Sequence, residues 1–320
     1  MSRLLLPRAR GFARAGGTPV DAGPYAPPAP ARELTAVSAD GARLHVEVHG
    51  PQGAPAVVLA HGWTCSTAFW AAQIRDLSAD HRVIAYDQRG HGRSPVSLAC
   101  SADALADDLE AVLTATLAPG EQAVIAGHSM GGMTVMAASG RAAFREHAAA
   151  VLLCSTGSSQ LVAASTVVPM RAGRVRTWLT RRILGSRAPL GPVTPLARRI
   201  LKYGTMGTGS APHMVEACAR IVHACPRAVR HAWSQVLDLL DLDHGVRELD
   251  VPTAVIVGTA DRLTPPVHAR ALAAALPRCT GITELPGIGH MTPVEAPDLV
   301  GRTIRELVHA HIKVVTEESA

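Results

Sequence analysis

Acidic side chains are missing from one long stretch of this chain. Between Glu146 and Glu216 there is no aspartate or glutamate. Aromatic residues are scarce throughout, at 3%, and charged residues make up 18% of the 320 positions. The scarcity of rings excludes a pocket built on ring stacking and leaves aliphatic side chains to line one. No run of 18 apolar residues occurs, which excludes a membrane-spanning helix. The apolar stretch Leu4-Leu5-Leu6 is too short for a signal-peptide core. Cysteines stand at 65, 100, 154, 218, 225 and 279, with no C-x-x-C pair. That spacing excludes a zinc or disulfide framework and reads as free thiols in a reducing compartment, so a cytoplasmic location is expected. No metal-ligand cluster and no phosphate-cradling loop is visible, so neither a metal nor a cofactor is expected.

What is present fits one α/β domain with an insertion: 33.4 kDa and 48% hydrophobic residues suffice for a sizeable core. Residues 1–32 carry Arg3, Arg8, Arg10 and Arg14, then Gly16-Gly17-Thr18-Pro19 and Pro27-Pro28-Ala29-Pro30. Such a segment buries too little apolar surface to offset its ordering entropy, and it reads as a disordered basic, Pro-rich leader. From Leu34 to Val48, two alternating segments flank Ala39-Asp40-Gly41, a hairpin signal. Continuous apolar runs follow at 56–60, 82–86, 123–126, 149–154 and 253–257. Runs of that kind suit strands buried on both faces of a mostly parallel sheet. Helix-length segments, such as 102–117 and 267–276, separate them and supply crossovers on both faces. The pattern breaks over 155–250, which is helical in character. The expected organisation is therefore a core from 33–154 and 251–312, a helical cap inserted at 155–250, and a tail at 313–320.

Gly127-His128-Ser129-Met130-Gly131 follows the strand-like run at 123–126 and precedes a helix-compatible one. This is the G-x-S-x-G nucleophile elbow in its strand–turn–helix setting. Glycines beside the serine relieve the crowding of a strained turn, and the helix N-terminus below favours developing negative charge. A serine hydroxyl needs a base within hydrogen-bond reach, and in this arrangement an acid and then a histidine follow it in the chain. Asp261, after the run at 253–257, is the expected acid. His290, after Ile282-Thr283-Glu284-Leu285 and Gly289, is the expected base. The competing readings are a loop N-cap for Asp261 and a surface histidine for His290. Asp238, Asp241 and Asp243 are alternative acids placed before the strand, and His128 is expected to point away from the serine's attack face. Two backbone N–H donors are needed for the oxyanion, one from Met130 and one from Trp63 in the loop His61-Gly62-Trp63-Thr64. The Trp63 indole has a lining role or a purely structural one.

These features resemble the α/β-hydrolase superfamily, in its esterase, lipase and cofactor-free haloperoxidase-like branch, over residues 33–310. The resemblance rests on His61-Gly62-Trp63, Asp87-Gln88-Arg89-Gly90-His91-Gly92-Arg93-Ser94, the Ser129 elbow, Asp261 and Gly289-His290. It implies a structural loop at 87–94. Serine rather than aspartate at the elbow implies acyl-enzyme chemistry, not epoxide or haloalkane hydrolysis. The expected function is cleavage of small carboxylic esters with an apolar acyl group. Carbon–carbon bond or lactone hydrolysis, acyl transfer, and a catalytically silent binding protein of the same fold are the alternatives.

The acid-free stretch carries Arg171, Arg174, Arg176, Arg181, Arg182, Arg187, Arg198, Arg199 and Lys202, nine positive charges in a chain of net charge +5. A solvated face, weak contact with an anionic membrane by the cap or the N-terminus, and an anionic substrate are the readings. No nucleic-acid motif accompanies the charge, so no nucleic-acid partner is expected. Residues 170–184 fit an amphipathic helix with Val175, Trp178 and Leu179 on one side. Oligomeric state is not legible.

Overall fold

The computed structural model describes residues 25–312. Eight strands form one sheet: β1 (Arg32–Val37), β2 (Arg43–His49), β3 (Ala56–Ala60), β4 (Arg82–Tyr86), β5 (Ala123–His128), β6 (Ala148–Cys154), β7 (Thr253–Gly258) and β8 (Cys279–Leu285). Their spatial order is β1-β2-β4-β3-β5-β6-β7-β8. β1 and β2 form an antiparallel hairpin, and β2 meets β4 antiparallel. All remaining neighbours are parallel. The hairpin turn uses Gly41 at φ +83, and Asp40 Oδ1 accepts from the Ala42 N–H at 3.0 Å.

Because successive strand side chains point to opposite faces, the continuous apolar runs feed two cores at once. Val58, Ile84, Ile125 and Val151 face Leu105, Leu109 and Leu113 of the helix Ala102–Thr116 and Met133 and Met136 of the helix Met130–Ala138. Val57, Leu59, Val83, Val124 and Leu152 face Ile74 and Leu77 of Ala71–Leu77 and Val300 and Ile304 of Pro297–His311. The helix Ala102–Thr116 starts where the Ser101 hydroxyl accepts from the Ala104 N–H at 3.0 Å, a side-chain N-cap.

Between β6 and β7 the chain is helical: Leu161–Ala164, Arg174–Leu184, Pro195–Thr205, Pro212–Ala224, Arg227–Leu239 and Asp243–Glu248. This is the cap. It is anchored to the core by the fully buried Trp233, whose indole N–H donates to the Arg89 carbonyl at 3.4 Å.

Two expectations need correction. The leader is expected to be disordered through residue 32, but its last residues are ordered. Ala31 donates to the Val48 carbonyl at 2.9 Å, β1 begins at Arg32, and the Tyr25 ring stacks on His213 at 5.7 Å. Residues 1–24 of that leader, and the tail at 313–320, lie outside the described residues. The amphipathic helix begins at Arg174 rather than at residue 170. Val175 and Trp178 are 60% and 57% exposed, whereas Arg176 and Thr180 are buried. Arg176 is held inward by a 2.8 Å bond from its Nη2 to the Ala163 carbonyl of the preceding short helix. Among the described residues, no helix is long and apolar enough to cross a membrane.

Candidate active site

β5 ends in a sharp turn. Ser129 has φ +51 and ψ −116, a conformation that a non-glycine residue adopts only when its surroundings enforce it. Its N–H donates to the Cys154 carbonyl at 2.9 Å, and its carbonyl accepts from the Thr156 hydroxyl at 2.7 Å. Gly131 is required here: a Cβ at that position would lie 2.0 Å from the Ala60 carbonyl oxygen, so only glycine lets the elbow helix approach β3. Met130 opens that helix, and its N–H is among those with no intrahelical acceptor.

The loop after β3 is pressed against the elbow. A Cβ on Gly62 would stand 2.7 Å from His128 Nδ1 and 3.2 Å from Ser129 Cβ. Trp63 follows, its indole N–H donating to the Arg230 carbonyl of the cap at 3.1 Å. Two buried imidazoles pin this loop. His61 Nε2 accepts from the Gln88 N–H at 3.0 Å, and His91 Nε2 accepts from the Thr64 N–H at 3.1 Å. Gln88 also donates its side-chain amide to the His61 carbonyl and accepts from the Thr134 hydroxyl of the elbow helix at 2.8 Å. The loop at 87–94 thus ties the loop after β3 to the elbow. Its own shape is fixed by Asp87, which accepts from the Thr67 and Arg93 N–H groups at 2.8 and 2.7 Å.

Both imidazoles must be neutral to accept those bonds. Burial lowers His61 to about 3 and His91 to about 4, from a usual value near 6.5. Folded values below the unfolded one mean that the unfolded chain takes up protons first. The stability they contribute is therefore complete above about pH 6.5 and is lost as pH falls through about 4 for His91 and about 3 for His61. For His91 the loss amounts to on the order of 3 kcal/mol. Thermal midpoints measured from neutral pH down to this window should fall. A His91→Gln variant should start lower and fall less steeply; parallel curves would contradict the assignment.

His290 and Asp261 meet as the sequence order predicts. His290 Nδ1 and Asp261 Oδ2 are 2.8 Å apart, and both residues are buried. Asp261 Oδ1 accepts from the Leu263 and Thr264 N–H groups at 2.8 and 2.9 Å. The Thr264 hydroxyl lies 2.9 Å from Asp261 Oδ2 and 3.2 Å from His290 Nδ1. The carboxylate is thereby fixed as an acceptor, which assigns the proton to Nδ1 and leaves Nε2 as the basic nitrogen. Asp238, Asp241 and Asp243 are elsewhere: Asp238 pairs with Arg181 at 2.6 Å, Asp243 accepts from the Ser158 hydroxyl at 2.6 Å, and Asp241 bridges to Ser159.

Ser129, His290, His128 and Trp63 open on one cavity of about 620 Å³ between sheet and cap. Its walls are mostly apolar, among them Met133, Leu161, Val162, Leu184, Leu201 and Leu237, with Arg182 and Arg230 also on the lining. Thr264 and Glu295 carry no signal in the sequence as supporting residues, and His128 departs from the expectation that it points away. His128 turns towards the site: its Nε2 donates to the His290 carbonyl at 2.9 Å, and the two rings lie 4.9 Å apart. Burial, with His290 beside it, keeps His128 well below the usual histidine range. Thr264 orients the acid. Glu295 accepts from the N–H groups of Gly289 and Met291, on either side of His290, and from the Ser210 hydroxyl of the cap at 2.6 Å. The bonds from His128 to His290 and from Ser210 to Glu295 join residues far apart in the sequence, whereas Thr264 lies three residues from Asp261 and Glu295 four from Met291.

One cluster outside the cavity has metal-ligand chemistry. Glu33, His45 and Glu47 bring donor atoms within 4.8 Å of one another on the hairpin. A cation is already there: Arg93 binds Glu33 at 2.6 and 2.7 Å and reaches Glu47 at 3.8 Å. The donor set fits an internal ion-pair network better than a metal.

A serine elbow, a buried Asp–His pair and a capped parallel sheet define the α/β-hydrolase class. The chain belongs to the alpha/beta hydrolase family, whose profile matches residues 57–303. It is 35% identical to the 3-oxoadipate enol-lactonase 1 of Acinetobacter baylyi over 96 residues, 30% of this chain and 35% of that protein. It is 29% identical to the non-heme chloroperoxidase of Streptomyces lividans over 268 residues, 80% of this chain and 92% of that protein. The first of these matches spans only about a third of its relative's length. Among solved structures, a thermophilic esterase from Thermogutta terrifontis superposes with a TM-score of 0.70 at 24% identity, covering 88% of this chain and 99% of that one. At that identity the likeness speaks for the fold.

Proposed function

We propose that this protein is a serine hydrolase of carboxylic esters with an apolar acyl group. Ser129 Oγ attacks the ester carbonyl while His290 Nε2 takes the hydroxyl proton. The negative charge moves to the carbonyl oxygen, which the Met130 and Trp63 N–H groups hold. The tetrahedral adduct collapses, the C–O bond to the alcohol breaks, and His290 returns its proton to the leaving oxygen. His290 then deprotonates a water, which attacks the acyl-enzyme and releases the acid and Ser129. Asp261 accepts from Nδ1–H throughout and stabilises the imidazolium. The observation that carries this reading is the buried 2.8 Å Asp261–His290 pair, whose histidine lines the same largely apolar cavity as Ser129.

The similarity to an enol-lactonase supports lactones, which are cyclic esters, as substrates for the same steps. Turnover of p-nitrophenyl esters of rising acyl length tests the reading. The expected profile rises from acetyl to medium-length chains, because each buried methylene contributes about 0.8 kcal/mol. A flat or falling profile would contradict the apolar-acyl assignment. A competing alcohol in the same assay separates transfer from hydrolysis, since transfer would form a new ester.

A further inference from the structure

The outer face of the cap is apolar where a soluble surface is ordinarily polar. Val175, Trp178 and Ile183 on the helix Arg174–Leu184 are 60%, 57% and 54% exposed, and Leu196 and Ile200 on Pro195–Thr205 are 66% and 63% exposed. Met170 and Leu190 add to the same region of chain. A concentration of this kind marks an interaction site. The helix Arg174–Leu184 buries Arg176 and Thr180 while Val175 and Trp178 face outward. Arg176 Nε and the Thr180 hydroxyl are buried there without partners among the described residues.

The charge on this face selects the occupant. No acidic residue occurs between Glu146 and Glu216, so every charged side chain that these two helices themselves supply is a cation. Arg181 and Arg198 are paired, with Asp238 and Glu216. Arg182 lies over the Trp178 ring at 5.9 Å. Among the described residues, Arg171, Arg174, Arg187 and Arg199 have no acidic partner within 4.0 Å. A second copy of the chain is a poor fit, because a two-fold contact would set this cationic face against itself. An anionic bilayer matches both components. Its hydrocarbon takes the tryptophan and the aliphatic side chains, and its headgroups take the arginines. The cavity opens towards this same region: Ile183, Leu190 and Ile200 are exposed and also line it.

We infer that the cap's outer face, built on the helices Arg174–Leu184 and Pro195–Thr205, docks on anionic lipid bilayers and turns the cavity mouth towards the membrane. The docking does not depend on the ester reading. Sedimentation of the full chain with phosphatidylcholine vesicles, and with vesicles that also contain phosphatidylglycerol, tests it. The protein should pellet with the anionic vesicles, stay in solution with the neutral ones, and be released by added salt. Val175→Ser/Trp178→Ser/Leu196→Ser should remove most of the binding while leaving turnover of a short water-soluble ester as in wild type. Arg171→Gln and Arg174→Gln should each weaken partitioning about fivefold.

Equal recovery from both vesicle types would overturn the inference. So would a concentration-dependent dimer, in vesicle-free sedimentation equilibrium, that the triple serine variant abolishes. If esters are not hydrolysed but anionic vesicles are bound, the functional proposal fails and the docking stands.

Discussion

Ser129→Ala should lower ester turnover by about four to six powers of ten, because nucleophile, base and acid act as one unit and losing one removes most of what all three supply. The substitution is small. Ser129 is held in its strained conformation by its backbone, through Cys154 and Thr156, so the elbow persists without the hydroxyl. Circular dichroism and the thermal midpoint should therefore match wild type while kcat collapses. The rate that remains reports oxyanion stabilisation and binding alone. A variant that kept most of its turnover would remove Ser129 from the mechanism.

Arg89→Met should destabilise the fold by about 3–5 kcal/mol, the range for breaking one partner of a buried ion pair. Arg89 is 1% exposed, and its Nε and Nη2 donate to the two oxygens of the equally buried Asp108 at 2.7 and 2.6 Å. It also reaches Asp40 in the hairpin turn and the Ala99 carbonyl. Even with Arg89 present, burial outweighs it and raises Asp108 above the usual carboxylate range. Without Arg89, Asp108 would be protonated or force water inward. Urea titration should show the loss, and Arg89→Met/Asp108→Leu should be more stable than the single variant, because no charge is then stranded. An equal or lower midpoint in the double variant would contradict this. The effect reaches the chemistry as well: Arg89 anchors the loop whose His91 accepts from the Thr64 N–H, so kcat should fall along with stability.

Most of the framework was legible in the sequence because it follows from local rules. β3 to β7 are continuous apolar runs that only a doubly covered parallel sheet accommodates. The elbow, the acid after β7 and the histidine after β8 follow in chain order. β8 was caught only in its second half, because Cys279–Leu285 is an edge strand with an exposed middle and so lacks the apolar signature. The orientation of the helix Arg174–Leu184 is set by a contact that the sequence pattern does not carry. Periodicity finds an apolar side but not which way it faces, and here a bond from Arg176 to Ala163 fixes the opposite side inward. His128, expected to point away, turns to the site through a partner far off in the chain, His290, and Glu295 ties the His290 loop to Ser210 of the cap. The end of the leader was misjudged because Tyr25 finds its partner, His213, in the cap.

The central claim is that Ser129 carries the acyl group. Its most direct test is mass spectrometry of the protein quenched during turnover of a slow p-nitrophenyl ester, with peptide mapping of any adduct. The account predicts an added acyl mass on the peptide containing Ser129, absent from Ser129→Ala. Turnover with no adduct, or with the acyl mass on another residue, would contradict it.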